Sequence, residues 1–169
     1  MVDKEGFFRE SNAIEDVYGD EPLEESLEAW DYLKQHDELK HHIIKETHRL
    51  IMRNRQPVLA GEYRDVQVYV GDHTPPDPAV VRMKMQELLQ VEPENAEEAV
   101  KWHISFETIH PFEDGNGRIG RMIYYWHCHQ LGVEPILWTA DERQKYYKIF
   151  NGRDGILESQ EGSAEVDIE

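Results

Sequence analysis

Apolar positions along this chain recur mostly at three- and four-residue spacing. Leu23, Leu27, Trp30, Tyr32 and Leu33 mark an amphipathic helix from Leu23 to about Gln35. Asp37 is placed to cap a second helix, which carries Leu39, Ile43, Leu50 and Ile51 on one face before Gln56-Pro57 and Gly61 interrupt it. The same rhythm predicts helices over Ala79 to Gln90, Ala96 to His110, Asn116 to Gln130, and Asp141 to about Phe150. Near the start, Ser11-Asn-Ala-Ile-Glu15 predicts a single helical turn capped by Ser11. One stretch breaks the rhythm. From Glu62 to Gly71 the residues Tyr63, Val66, Val68, Tyr69 and Val70 are β-branched or aromatic with polar residues between them, the only strand-like pattern in the chain. A lone hairpin is marginal in water, so this one is expected to pack on the helices or offer its edge to something else. The pattern as a whole predicts a mostly α fold, a compact helical domain with one β-hairpin.

Composition narrows the partners. At 169 residues the chain is most simply one domain, long enough to remove roughly 70% of its unfolded surface from water. Its formal charge is −17, with acids crowding both ends. Such a field repels nucleic acid and anionic membrane surfaces, so neither is an expected partner. The single cysteine, Cys128, excludes an internal disulfide and suits a reducing compartment. Lys4, Glu5, Arg9 and Glu10 interrupt any signal-peptide run, and no apolar stretch is long enough to span a membrane. A soluble, cytoplasmic protein is expected.

The chemistry concentrates between His110 and Arg121. Gly115 and Gly117 flank Asn116 and let the backbone approach a ligand. The apolar run that follows reads as a buried helix, whose first N–H groups point outward with the positive end of the dipole behind them. Arg118 and Arg121 project from one face of that helix and can hold further phosphate oxygens. Asp114 stands at the turn's entrance, where a carboxylate can hold Mg²⁺ against the same phosphates. His110 titrates near neutrality and can take a proton from a hydroxyl. An anion cradle with a base beside it is the reading these residues support.

Competing readings exist for each part. Asp-Gly-Asn-Gly is also a plain turn between helices. Gly115, Gly117 and Gly120 fit a dinucleotide fingerprint, but that motif follows a β-strand, and Glu97 to Ile109 has helical spacing. Glu38-x-x-His41 and Glu107-x-x-His110 have the spacing of di-iron bundles. Pro111 ends the second helix, which a bundle-core ligand tolerates poorly. His127-Cys-His129 points its ligands apart, and no paired C-x-x-C exists, so structural zinc is not expected. His41, His42, His48 and His103 are expected on helix surfaces or in packing. Tyr146 and Tyr147 suit a core, or one of them can stack on a base.

His110 to Arg121 resembles the active-site motif of Fic-domain proteins, H-x-F-x-(D/E)-G-N-G-R-x-x-R, at all eight specified positions. Gly61 to Gly71, followed by Pro75-Pro76, is similar to the family's β-hairpin flap. The resemblance runs from about Ser11 to Asp154. It implies AMPylation: adenylyl transfer from ATP to a Tyr, Thr or Ser hydroxyl of a target protein. It makes His110 the base and Asp114 the Mg²⁺ ligand. Gly115, Asn116 and Gly117 become the anion hole, with Arg118 near the β-phosphate, Arg121 at the γ-phosphate, and Tyr146 and Tyr147 near the adenine. Phe112 is expected to be buried. The flap would hold the target segment as an added strand along Val66, Val68 and Val70.

Ser11 to Glu15 also resembles the family's inhibitory helix motif, in which the glutamate pairs with the second arginine of the active-site motif, here Arg121. Asp16 departs from the glycine or asparagine usual after that glutamate. The implied organisation is an acidic segment with the inhibitory helix over 1–22, a catalytic core over 23–155, and an acidic, disordered tail over 156–169. Relatives also suggest a homodimer. Three other functions stay open: AMP removal with Glu15 positioning water, a kinase-like activity whose branch departs from Gly-Asn-Gly, and a non-catalytic acidic module binding nucleotide or protein.

Overall fold

The helices gather around one whose residues 118–124 are buried without a break. In the computed structural model, which describes residues 2–157, this is α6 (Asn116–Leu131). Among the described residues six other α-helices surround it: α1 (Lys4–Ile14), α2 (Asp20–Leu33), α3 (His41–Met52), α4 (Val81–Leu89), α5 (Ala96–Ile109) and α7 (Arg143–Tyr147). A helix buried on nearly every side has to sit inside, and α5, α1 and α3 all pack on α6. No helix among the described residues is long and apolar enough to cross a membrane.

The elements start and stop for local reasons. Asn95 caps α5 by accepting the Glu98 N–H at 2.9 Å. Gly115 opens α6 and Gly132 closes it, both at positive φ. Asp37 does not cap α3; the helix begins after Lys40, which offers no side-chain cap. A 3₁₀ turn at Pro78–Val80, capped by Asp77 at the Ala79 N–H, leads into α4. The late helix is shorter than its spacing suggests: it runs from Arg143 to Tyr147, tightens to 3₁₀ from Lys148, and leaves helical angles at Asn151 and Gly152.

Two expectations are corrected. The N-terminal turn is part of an eleven-residue helix that starts at an Asp3 cap, so Ser11 lies inside α1 rather than capping it. Phe7 and Phe8, 2% and 1% exposed, drive it onto the core, with Phe8 6.0 Å from the Trp30 ring and Phe7 4.8 Å from Tyr125. The β-hairpin is absent. Among the described residues there is no strand, only an isolated bridge between Val70 and His73. The valines 66, 68 and 70 satisfy a strand's alternation, but the returning segment carries Pro75 and Pro76, which have no N–H to give a ladder. Side chains bond the backbone there instead. Gln67 Nε2 donates to the carbonyls of Val68 (3.0 Å) and Pro75 (2.9 Å), and Arg64 takes others. Val66, Val68 and Val70 are therefore loop residues.

The division at residues 22 and 23 falls within the first turn of α2, and the tail expected to be disordered lies, over 158–169, outside the described residues. Ile156 docks on α5 through the Ser105 hydroxyl at 2.8 Å.

Buried histidines set the response to pH. Burial holds His48 and His110 down to about 4, and His103 and His127 down to about 3. In the unfolded chain they return to roughly 6.5 and bind protons first as the pH drops. Their stabilising share is complete above that value and is lost as the pH falls toward 4. Glu107, raised by burial to about 8, acts in the opposite sense, but it is one group against four. Thermal melts are expected to show a lower Tm at pH 5 than at pH 7; a Tm that rises on acidification contradicts the buried neutral histidines.

Candidate active site

His110 ends α5 in the left-handed region, φ 52° and ψ 63°. The proline after it disfavours continued helix, and the strained angle turns the imidazole toward a cavity of about 940 Å³. The angle is held from outside by Arg64, which is 4% exposed. Arg64 donates from Nε to the His110 carbonyl at 2.7 Å, and from its two terminal nitrogens to the carbonyls of Pro76 (2.6 Å), Val66 (3.0 Å) and Ile109 (3.2 Å). Its own N–H bonds the Pro111 carbonyl at 2.9 Å. In the sequence Arg64 looks like one polar tooth of a strand, and nothing local marks it as a pin.

The loop after His110 is fastened from within. Phe112 is fully buried and stacks on His48, ring centroids 3.8 Å apart and 4° from parallel. His48 Nδ1 accepts the Gly61 N–H at 2.9 Å, so its Nε2–H donates to the Asp114 carbonyl at 2.8 Å. The expectation of a packing role for His48 thus understates it, since it bridges α3 to the motif. The Asn116 amide is turned back on the loop, accepting from Phe112 N–H (2.9 Å) and donating to the Phe112 carbonyl (2.8 Å). What faces the cavity is the open start of α6, where no side chain caps the helix. Gly115 (φ 83°) admits the turn, and a Cβ there would stand 2.8 Å from Met52 Sδ. Gly117 has helical angles, and its missing Cβ leaves room for Glu15 Oε1 and the Arg121 guanidinium.

His110, Asp114, Gly115, Asn116, Gly117, Arg118, Arg121, Glu15, Tyr146 and Tyr147 all line this one cavity; Val70 reaches its edge, whereas Val66, Val68 and Ser11 do not line it. Asp114 is exposed, with Oδ1 bonded to the Gly115 N–H at 2.8 Å. Among the described residues no group of three or more His, Cys, Asp or Glu side chains can hold a metal. A cation here would rest on the Asp114 carboxylate and on oxygens of its ligand, which suits Mg²⁺ better than a soft metal. The two Glu-x-x-His pairs do not converge: Glu38 and His41 line a separate cavity of about 810 Å³.

The first helix holds both arginines. Arg121 is 1% exposed. It donates from Nε to Ser11 Oγ (2.8 Å), from Nη2 to the Ser11 carbonyl and Glu15 Oε1 (both 2.9 Å), and from Nη1 to the Tyr146 hydroxyl (3.3 Å). Glu15 therefore takes one bond rather than a parallel pair, and Ser11 takes two more. Arg118, 4% exposed, donates from Nε to Asn12 Oδ1 at 2.9 Å, while its Nη2 has no partner. Burial lowers its pKa to about 10. Tyr146 is 3% exposed and bonded to His103 Nε2 at 2.7 Å, whereas Tyr147 is 40% exposed at the cavity.

Asp16 closes α1 in the left-handed region, φ 57°. Val17 N–H bonds the Asn12 carbonyl and Asp16 N–H the Ala13 carbonyl, both at 3.0 Å, the Schellman pattern in which glycine or asparagine is usual. Aspartate tolerates this region. Arg143 steadies it, bonding Asp16 Oδ1 and the Ala13 carbonyl, each at 3.3 Å. The departure at Asp16 leaves the helix end intact.

An all-helical fold turns an uncapped helix start, two buried arginines and an imidazole onto one cavity, an arrangement with the chemistry to hold an anion. Residues 38–128 match the model of the Fic/DOC family, more than half of the chain, and the chain belongs to that family. It is 34% identical over 123 residues to the protein adenylyltransferase fic-1 of Caenorhabditis elegans, covering 68% of this chain and 24% of that one. It is 36% identical over 115 residues to the protein adenylyltransferase Fic of Nematostella vectensis, covering 64% and 27%. The chain thus spans about a quarter of the length of these curated relatives. In fold it is similar to a Fic-domain-containing signaling protein of Bacteroides thetaiotaomicron, with TM-score 0.75 and 22% identity over 88% of this chain and 70% of that one. Fic-1 of Caenorhabditis elegans follows at TM-score 0.67 and 23% identity, over 88% and 54%.

Replacing Arg64 by alanine takes the donor from four carbonyls, that of Ile109 buried and the other three partly so, and is expected to cost about 2–3 kcal/mol in denaturant unfolding. Arg64→Lys is expected to recover less than half of that, because one ammonium cannot span the four oxygens. Full recovery by lysine would show that charge alone matters at this position.

Proposed function

We propose that this chain transfers AMP from ATP to a hydroxyl of a target protein, and that its own first helix holds the reaction down. The observation that carries the reading is the neutral imidazole of His110 on the same cavity as the open start of α6 and both arginines. The names of the curated relatives, protein adenylyltransferases, support the choice of AMP as the group transferred.

The chemistry follows from what each group can do. The target's hydroxyl oxygen forms a bond to the α-phosphorus of ATP, the bond from that phosphorus to the bridging oxygen breaks, and pyrophosphate leaves. The hydroxyl proton goes to His110 Nε2. Burial holds His110 down to about 4, so its lone pair is free at neutral pH. The N–H groups of Asn116, Gly117 and Arg118, together with the missing side chains of Gly115 and Gly117, form the hole for the α-phosphate oxygens. Arg118 takes the β-phosphate region and Arg121 the γ-phosphate. Asp114 would hold Mg²⁺, which supplies positive charge against the leaving pyrophosphate. Tyr147, exposed at the cavity, is the better of the two tyrosines to meet the adenine, since the Tyr146 hydroxyl is already engaged.

Inhibition follows from the same arginine. Arg121 cannot give its Nη2 to a γ-phosphate while Glu15 and the Ser11 carbonyl hold it. ATP then binds without its triphosphate aligned for attack. The Glu15 carboxylate also faces the cavity with one oxygen unbonded, a position from which it can orient water for AMP removal.

Label transfer to lysate proteins from ATP marked at the α- or the γ-phosphate tests the proposal with Mg²⁺ present. Label is expected from the α-position only. Glu15→Gly is expected to raise transfer tenfold or more, equivalent to about 1.4 kcal/mol of released restraint. His110→Ala should lower it by at least ~100-fold, and Arg121→Ala should abolish it. Transfer from the γ-position would mean a kinase. Equal rates for wild type and Glu15→Gly would remove the inhibitory role of α1. AMP released from a modified protein, without transfer, would favour the removal reaction.

A further inference from the structure

One buried acid on the cavity, Glu107, takes no part in the transfer proposed above. Glu107 and His110 stand three residues apart at the end of α5 and share a face of the chain. The Glu107 side chain is 11% exposed, and its Oε2 lies 3.9 Å from His110 Nδ1. Glu107 Oε1 and His110 Nδ1 are both buried, and neither has a hydrogen-bond partner. The buried Nδ1 costs free energy without a partner, and a small closure of Glu107 Oε2 would supply one while Oε1 stays against Gly120. Helix α6 makes room for the carboxyl. A Cβ on Gly120 would strike Glu107 Oε1 and stand 3.0 Å from His103, so the helix carries a glycine in its interior at a cost of about 1 kcal/mol.

We propose that Glu107 is the positioning residue of His110: its carboxylate closes to accept the imidazole Nδ1–H, which points the Nε2 lone pair at the incoming hydroxyl and balances the charge once Nε2 is protonated. The inference rests on His110 acting as the base. Catalytic hydrogen bonds are often long before substrate arrives and tighten in the complex, so 3.9 Å is a resting distance. Fixing the tautomer is what a carboxylate behind a catalytic histidine does in other enzymes. The proton taken from the hydroxyl stays on Nε2, and Nδ1 keeps its own; none passes to Glu107.

The surroundings make the arrangement sensitive to pH. Facing Glu107 are Arg121 from α6, Glu15 from α1, Tyr146 from α7 and Arg153 from the stretch after it, with His103 across Gly120. Burial raises Glu107 to about 8, with Arg121 opposing and Glu15 adding to the rise. The carboxylate form therefore grows as the pH climbs toward that value, and the rate should climb with it.

The test uses the Glu15→Gly chain as parent and compares it with Glu107→Gln and Glu107→Leu in the same background. Transfer from ATP labelled at the α-phosphate is followed from pH 6 to pH 9, with kcat and KM for ATP separated. The parent's kcat is expected to rise with pH, with its midpoint below about 8 because the parent lacks Glu15, whose charge adds to the rise in Glu107. Glutamine should lower kcat on the order of 10-fold and leucine on the order of 100-fold, within what a positioned base contributes. Both should flatten the rise, with KM for ATP within about twofold, since both variants keep every residue assigned to ATP. Glutamine is nearly isosteric, so it keeps the test open if leucine disturbs folding. Variants that match the parent in kcat and pH profile overturn this inference alone, as does a loss of kcat that keeps the parent's pH rise, or an effect confined to KM. A parent that transfers no label overturns this inference together with the transferase reading.

Discussion

A guanidinium with 1% of its surface exposed cannot be left unanswered, and the structure is arranged around answering Arg121. The cation sits midway along the most buried helix and needs acceptors on every edge of its plane. Helix α1 brings three of them, the Ser11 hydroxyl, the Ser11 carbonyl and the Glu15 carboxylate, and α7 brings the Tyr146 hydroxyl. Those acceptors require α1 to lie against α6, and Phe7 and Phe8 hold it there by burying their rings. The hydrophobic core and the polar site thus share one helix. Anything that draws Glu15 away must bring negative charge of its own, and a phosphate has that charge.

Around this centre the loop from His110 to Gly115 is held by groups from three directions. Arg64 grips the backbone from the 62–76 loop, His48 reaches the Asp114 carbonyl from α3, and the Asn116 amide folds back from α6. Each contact ends on main chain, so the loop's shape is fixed without using the side chains that face the cavity. His110 and Asp114 are left to address a ligand.

What could be read from the sequence depended on how local the causes were. Helices α2, α5 and α6 show because each buries a continuous face at helical spacing, though α2 starts at Asp20 rather than Leu23, and His110 to Arg121 shows because its parts lie within twelve residues. Helix α1 is hard to see because charged and polar residues outnumber apolar ones along it, while two adjacent phenylalanines do its packing. The hairpin failed for the opposite reason. Its alternation was genuine, but a strand needs a partner with N–H groups, and the partner here holds two prolines. Arg64, His48 and Asn12 were invisible in their roles, since their partners lie 46, 66 and 106 residues away. The Glu107-x-x-His110 spacing already sets the carboxyl near the imidazole, but the gap at Gly120 that admits it exists only when α5 packs on α6.

The grip of Arg64 has a consequence for how this surface can change over generations. It holds four carbonyl oxygens and no side chain, and every amino acid carries a carbonyl. The outward side chains of the 62–76 loop, Tyr69 at 73% exposure among them, can therefore be exchanged freely while the histidine stays where it is. A lineage can rewrite the outward face of this rim and leave the backbone behind it untouched.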